Sequence, residues 1–74
     1  MNNSATARAL AEALDSSIRV AWRALCRSRR LYRAAVNGDD GASWRAYYER
    51  RKREDRAVLL ALLEVRREAR AAGR

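Results

Sequence analysis

Asn37-Gly38-Asp39-Asp40-Gly41 is the strongest group of helix-breaking residues in this chain of 74 residues. Asn and Gly adopt the left-handed conformation that ends a helix. The two Asp side chains, or Ser43, can accept hydrogen bonds from the N–H groups that open the next helix. The chain has no proline and is rich in Ala, Leu, Arg and Glu, which favour helix. The sequence therefore predicts one helix over about residues 4–36 and a second over about 42–72, joined by this turn at 37–41.

Residues spaced alternately four and three apart form one line along each predicted helix, and most of them are apolar. In the first helix the line is Ala7, Ala11, Leu14, Ile18, Ala21, Leu25, Ser28, Tyr32 and Ala35. In the second it is Trp44, Tyr48, Arg51, Asp55, Val58, Leu62, Val65, Ala69 and Ala72. Such repeats pack helices at shallow angles, and a short turn makes consecutive helices antiparallel neighbours. We therefore predict an all-α protein with a single domain, residues 1–74, folded as an antiparallel two-helix hairpin.

The aromatic residues of the hairpin are expected to lie mainly in its core. Their helical spacing favours packing between the helices over stacking on nucleic-acid bases. Counting outward from the turn pairs Tyr48 with Tyr32 and places Val58 opposite Trp22. Large residues therefore meet large residues on both sides of the middle of the hairpin.

The middle itself is polar, because the second helix carries eight consecutive polar residues at 49–56. The core line there consists of Arg51 and Asp55, which face Ser28 and the adjacent Arg29 of the first helix. We call these four residues the polar waist. An Arg51–Asp55 pair can fix the register of the helices, or the seam can be open and hydrated. A small anionic-ligand site is the alternative.

Several large apolar residues lie beside the predicted lines and would be left uncovered by a single hairpin. They are Leu60 and Leu63 in the second helix and Val20 and Leu31 in the first. A second copy of the chain would cover them, so we expect a homodimer that forms a four-helix bundle. The alternative is a monomer in which a short N-terminal helix folds back from a break at residues 15–17.

Cations exceed acids by a wide margin, since 17 Lys and Arg against nine Asp and Glu give a net charge of +8. On a wheel of 100° per residue, five arginines of the first helix fall within about 120°, opposite the apolar line. This arginine ridge consists of Arg19, Arg23, Arg27, Arg30 and Arg33. Guanidinium groups bind phosphate oxygens in a bidentate manner, so the ridge predicts a nucleic-acid partner. An acidic protein is the alternative partner, and a merely solvated polar face would need none.

The basic run at residues 50–53 gives a weaker signal for nucleic acid. Its arginines lie four residues from an acid, as in Glu49–Arg53 and Arg50–Glu54. This spacing is typical of ion pairs within one helix. We therefore expect the second helix to pair its own charges and to contribute less to binding.

The residue types on which most enzymes and metal sites depend are scarce. There is no His, the single Cys cannot form a thiolate metal site within one chain, and no phosphate-binding glycine loop is present. We expect no catalytic residue, metal ion or cofactor. The longest uncharged apolar run, residues 57–63, is too short to span a bilayer, and no N-terminal signal pattern is visible. These features predict a cytoplasmic protein.

Taken together, the patterns predict a small, basic, non-enzymatic regulatory or accessory protein that binds nucleic acid through the arginine ridge. The first alternative is a protein-interaction module that docks through exposed apolar helix faces, with its charge serving solubility. An enzyme or anionic-ligand binder that uses the polar waist is the third possibility.

Overall fold

A computed structural model describes residues 3–38 and 41–73, and side chains within 4–38 and 44–73. The fold consists of two helices, α1 (Asn3–Asn37) and α2 (Gly41–Ala72), which pack against each other. The predicted all-helical hairpin is therefore confirmed. The hairpin is a rod with extents of 60 × 16 × 13 Å. Every buried side chain consequently lies in the single seam between the two helices.

The structure tests the predicted helix ends and the predicted continuity of α1. At the far end of α2, the Gly73 N–H donates a 3.1 Å hydrogen bond to the Ala69 carbonyl and closes the last turn. The predicted capping residues Asp39 and Asp40 lie outside the described residues, as does the side chain of Ser43. Helix α1 runs without interruption through residues 15–17, so the alternative with a break there is wrong.

The core of the seam lies near the middle of the hairpin. Ile18, Ala21, Leu25 and Leu59 form one buried cluster. Leu14, Leu62 and Leu63 pack against this cluster and are partly buried. Toward the turn, Ser28 and Ala35 continue the same buried line of α1. The predicted line of α1 is therefore correct from Leu14 onward, whereas Ala7 and Ala11 at its start are exposed.

The core line predicted for α2 lies to one side of the observed seam: Tyr48, Asp55 and Leu62 are half-buried, but the other members of the line are exposed. Val58 and Val65 are half-exposed, and the buried residue of α2 is Leu59, with only 5% of its surface accessible. Two adjacent lines of α2 share the four-and-three spacing, one through Val58 and Val65 and the other through Lys52 and Leu59. Periodicity fixes the spacing of a line but does not choose between neighbouring lines on a broad apolar arc.

The aromatic residues are less buried than expected. Trp44 and Tyr47 are exposed, Tyr48 and Tyr32 are half-buried, and Tyr32 contacts Lys52 rather than Tyr48. The Lys52 ammonium lies 4.0 Å from the centre of the Tyr32 ring, a cation–π geometry. Trp44, Tyr47 and Tyr48 instead contact one another within α2, with ring centroids 5.1–6.0 Å apart. The orientation of α2 explains this outcome, because it turns Lys52 into the seam.

Candidate nucleic-acid interface and neighbouring surfaces

The arginine ridge runs along the solvent-facing side of α1, and all five of its arginines are exposed. They span residues 19–33, which corresponds to about 21 Å of helix from the first to the last. Arg19, Arg23 and Arg30 lie within about 40° of one another and nearly opposite the buried side chains of the seam. Arg27 lies nearer the side of α1 that carries Val20 and Leu31. The three arginines that point farthest from α2 are therefore the most accessible to a large partner.

The ridge is electrostatically unpaired within the described part of the chain. None of its five arginines lies within 4.0 Å of a carboxylate there. Helix α1 carries seven Arg and only two acids, Glu12 and Asp15. Asp15 itself pairs with Arg66 of α2, at 3.5 Å between Oδ1 and Nη1. Of the ridge residues, only Arg19 has an acid of the same helix one turn away, so the positive potential of the remaining ridge is little reduced.

Helix α2 pairs many of its cations internally. Arg53 donates a 3.1 Å hydrogen bond to Glu49, and the Nε atom of Arg50 lies 4.0 Å from the Glu54 carboxylate. Arg67 donates two hydrogen bonds to Glu64, which lower the pKa of this carboxyl and raise that of Arg67. These pairs are exposed and contribute little to stability, but they reduce the free cationic charge of α2.

The polar waist brings together three of its four predicted residues. The buried Ser28 hydroxyl donates a hydrogen bond to Oδ2 of Asp55, whose side chain is only 14% exposed. The Nε atom of Arg51 lies 3.8 Å from the same oxygen, and its side chain is 57% exposed. Arg29 is exposed and makes neither of these contacts. The waist is therefore a link between the helices in which a carboxylate occupies the centre.

This arrangement is poorly suited to binding an anion. The group facing the seam is an acceptor-only carboxylate, which repels anions, and its cation Arg51 is already engaged with it. No buried side-chain nitrogen or oxygen among the described residues lacks a hydrogen-bond partner. The geometry accordingly favours the interpretation in which the waist fixes register over the one in which it binds a ligand.

The four apolar residues predicted to form an interface do not share one surface. Val20 lines an open groove of about 500 Å³ together with Val58 and Leu62. Leu60 follows Val58 by two residues and therefore points to nearly the opposite side of α2. Leu63 is partly buried against the core cluster, which corrects its expected placement beside the seam.

Six exposed large apolar residues line one side of the hairpin, which we call the Val20 face. Adjoining grooves bring together α1 and α2 residues along it: Leu10 with Val65, Val20 with Val58, and Leu31 with Trp44. The opposite side, which carries Trp22 and Leu60, is called the Leu60 face. The sequence held a signal for the Val20 face that was missed, a second line with four-and-three spacing in α1: Leu10, Ala13, Ser17, Val20, Ala24, Arg27 and Leu31.

Few other described residues could form a reactive or metal-binding site. Cys26 is a free, half-buried thiol, and no three Cys, Asp or Glu side chains there cluster as metal ligands. Neither described helix contains a stretch long and apolar enough to cross a bilayer. Comparisons with protein-family models, with curated proteins and with solved structures find no match to this chain.

Proposed function

We propose that this chain is a small, non-enzymatic regulatory or accessory protein that binds nucleic acid through the arginine ridge of α1. The observation that carries the proposal is the line of five exposed arginines without an acidic partner among the described residues. Arg is the preferred residue for phosphate because its planar guanidinium forms two parallel hydrogen bonds. A straight helix holds these groups in one row, as contact with a regularly charged backbone requires.

The proposed contact is with the phosphate backbone rather than with base edges. Neutralising phosphates releases condensed counterions, and this release supplies most of the affinity of sequence-independent binding. Arg can read guanine, but the ridge contains no second type of base-reading side chain, such as Asn, Gln, Asp or Glu. We therefore propose binding with little sequence preference, by a homodimer that presents two ridges, and a cytoplasmic location remains part of this prediction.

The test compares two triple variants with the same change of charge. Arg19, Arg23 and Arg30, which are unpaired, are changed to Gln in the first variant. Arg50, Arg53 and Arg67, which are ion-paired within α2, are changed to Gln in the second. The affinity for duplex DNA and for single-stranded RNA is measured as a function of salt concentration.

The ridge variant is expected to bind far more weakly at low salt, with the slope of log K against log salt reduced by about 0.9 per lost duplex contact. The α2 variant should retain most of the affinity, since its arginines are already neutralised by their partners. Equal losses of affinity in both variants would show that binding depends on the overall positive charge rather than on the ridge. A parent protein without measurable affinity at about 50 mM salt would refute the proposal, because electrostatic binding is strong there.

A second candidate function, a protein-interaction module, is favoured by the exposed apolar side chains of both faces. Clusters of this kind on a soluble protein commonly mark contact sites for other proteins. In this alternative an acidic or apolar protein is the partner, and the arginines serve solubility. If the parent protein shows no measurable affinity for nucleic acid, this alternative becomes the leading function.

A further inference from the structure

We propose that a second copy of this chain packs on the Val20 face, so that two hairpins form a four-helix bundle with this face at its centre. The inference rests on the homodimer of the proposed function and specifies its contact surface. It does not require that the ridge bind nucleic acid. It replaces the mixed set of Val20, Leu31, Leu60 and Leu63 with residues that share one side of the hairpin.

The accessible area of the hairpin indicates that a large partner surface is needed. One chain exposes 6,223 Å², whereas a compact monomer of this mass exposes about 4,600 Å². The excess is about 1,600 Å², and a specific dimer of standard size buries only about 800 Å² on each partner. A standard contact would leave half of the excess uncovered, whereas a contact along the whole rod, within the about 2,000–5,000 Å² in total found in obligate homodimers, would cover it.

The sequence pattern places this excess on the Val20 face. Each helix carries two adjacent lines with four-and-three spacing, and only one line of each helix is used within the hairpin. In α1 the unused line contains Leu10, Val20 and Leu31; in α2 it contains Val58 and Val65, which remain half-exposed. Two such lines are expected of a helix in a four-helix bundle, because each helix there contacts two neighbours.

The composition of the two faces also favours the Val20 face. Small residues of α1, Ala13, Ser17 and Ala24, lie in its grooves and allow a neighbouring helix to approach closely. The two residues that we assign to the Leu60 face, Trp22 and Leu60, provide less apolar surface than the six of the Val20 face.

Packing on the Val20 face leaves the arginine ridges outside the bundle. Arg19, Arg23 and Arg30 point away from the seam and from the partner, while Arg27 lies at the rim of the contact. Repulsion between like charges favours the arrangement in which each α1 packs on the α2 of the other copy. The two ridges then lie at diagonally opposite corners.

The experiment compares two substitutions to Glu in α2, one on each face of the hairpin. Val58 and Leu60 lie on the same helix with 54% and 52% of their surface exposed, so Val58→Glu and Leu60→Glu perturb a single hairpin to a similar degree. Glutamate also lowers the net charge, which excludes added cationic repulsion as a cause of dissociation. The mass in solution is measured by light scattering, without nucleic acid, from about 1 to 100 μM, since dimerisation depends on concentration.

The parent protein and the Leu60→Glu variant are expected to have a mass of about 17 kDa, twice the 8.4 kDa of one chain. Val58→Glu should raise the dissociation constant at least about 100-fold, because it desolvates a charge in the contact. If that variant loses its helical circular dichroism, recovery of the signal at higher concentration supports the proposal. If Val58→Glu stays unfolded at every concentration, the mass of a Val20→Glu variant, altered on α1, is measured instead and tests the same face.

The outcomes separate the contact surface from the dimer itself. A monomeric parent protein would refute both the homodimer and this surface. A dimeric parent that dissociates with Leu60→Glu but not with Val58→Glu or Val20→Glu would refute the Val20 face and leave the homodimer intact. Neither result would bear on the salt-dependence test of the ridge.

Discussion

Asp55 is the residue on which the link between the two helices depends. Its largely buried carboxylate accepts the hydrogen bond of Ser28 and is neutralised by Arg51 from the solvent side. The two contacts differ in burial, because Ser28 is buried whereas Arg51 is more than half exposed. Their contributions to stability should therefore differ as well.

Changing Asp55 to Ala is expected to destabilise the fold by about 1–3 kcal/mol, because the buried Ser28 hydroxyl loses its acceptor. Changing Arg51 to Gln should cost less than about 1 kcal/mol, since exposed ion pairs contribute little. The double change Ser28→Ala with Asp55→Leu should be close to neutral, because no buried polar group is left unpaired. Urea unfolding at one fixed protein concentration measures all three, and an Arg51→Gln variant as unstable as Asp55→Ala would contradict this assignment.

At the scale of the element, α1 and α2 are both basic but differ in how their charges are arranged. Helix α2 holds its acids four residues from its arginines, whereas in the ridge of α1 only Arg19 has an acid at that spacing, Asp15, which pairs with Arg66 instead. We expect α2 to contribute little to nucleic-acid binding because its arginines are paired with acids. Removal of those acids should therefore allow α2 to bind.

Changing Glu49 and Glu54 to Gln is expected to free Arg53 and Arg50, and to raise both the affinity for duplex DNA and the steepness of its salt dependence. The cost in helix stability should be small, about 0.3–0.5 kcal/mol for each lost pair. Changing Glu12 and Glu68 to Gln is the matched control, because it alters the charge equally without breaking an ion pair among the described residues. Unchanged affinity in both variants would show that α2 does not approach the nucleic acid.

The two helices also differ in how far their sequences predict their contacts. The seam line of α1 follows from the sequence because the arginine ridge occupies the opposite side and the second line, which includes Ser17 and Arg27, is less apolar. The apolar arc of α2 is broad, from Val65 and Val58 around to Leu63, and contains two equivalent lines. The choice between them is made by tertiary packing, which places Leu59 against Leu25 in one core cluster. The ridge was predictable for the same reason as the α1 line. The α1 half of the Val20 face could also be found from its spacing, whereas the α2 half is defined only once α2 is oriented.

At the scale of the whole molecule, the proposed bundle predicts different environments for the two tryptophans. Trp44 lies on the Val20 face and Trp22 on the Leu60 face, yet each is 53% exposed in the single hairpin. Variants with one tryptophan, Trp22→Phe and Trp44→Phe, allow each side chain to be observed alone.

As the protein concentration rises through the dissociation midpoint, quenching by acrylamide should fall for Trp44, because the partner covers it. Quenching of Trp22 should not change, which provides the internal control. Protection of Trp22 alone would place the second copy on the Leu60 face. Equal quenching of both at every concentration would contradict assembly through either tryptophan-bearing surface.

The position of the core cluster has a consequence for how the rod opens. Ile18, Leu25 and Leu59 all lie on one side of the polar waist, whereas toward the turn Ala35 is the one buried apolar residue in the described part of the chain. Local openings need only the free energy of the contacts that they break, so they begin where those contacts are fewest. Residues 4–13 and 64–73, at the ends farthest from the turn, include no buried side chain, so opening begins there. The stretch between the waist and the turn, with few buried contacts, can also open locally while the central cluster stays closed. Amide protons around residues 31–36 would then exchange with solvent through such partial openings, and those around Leu25 only when the whole chain unfolds.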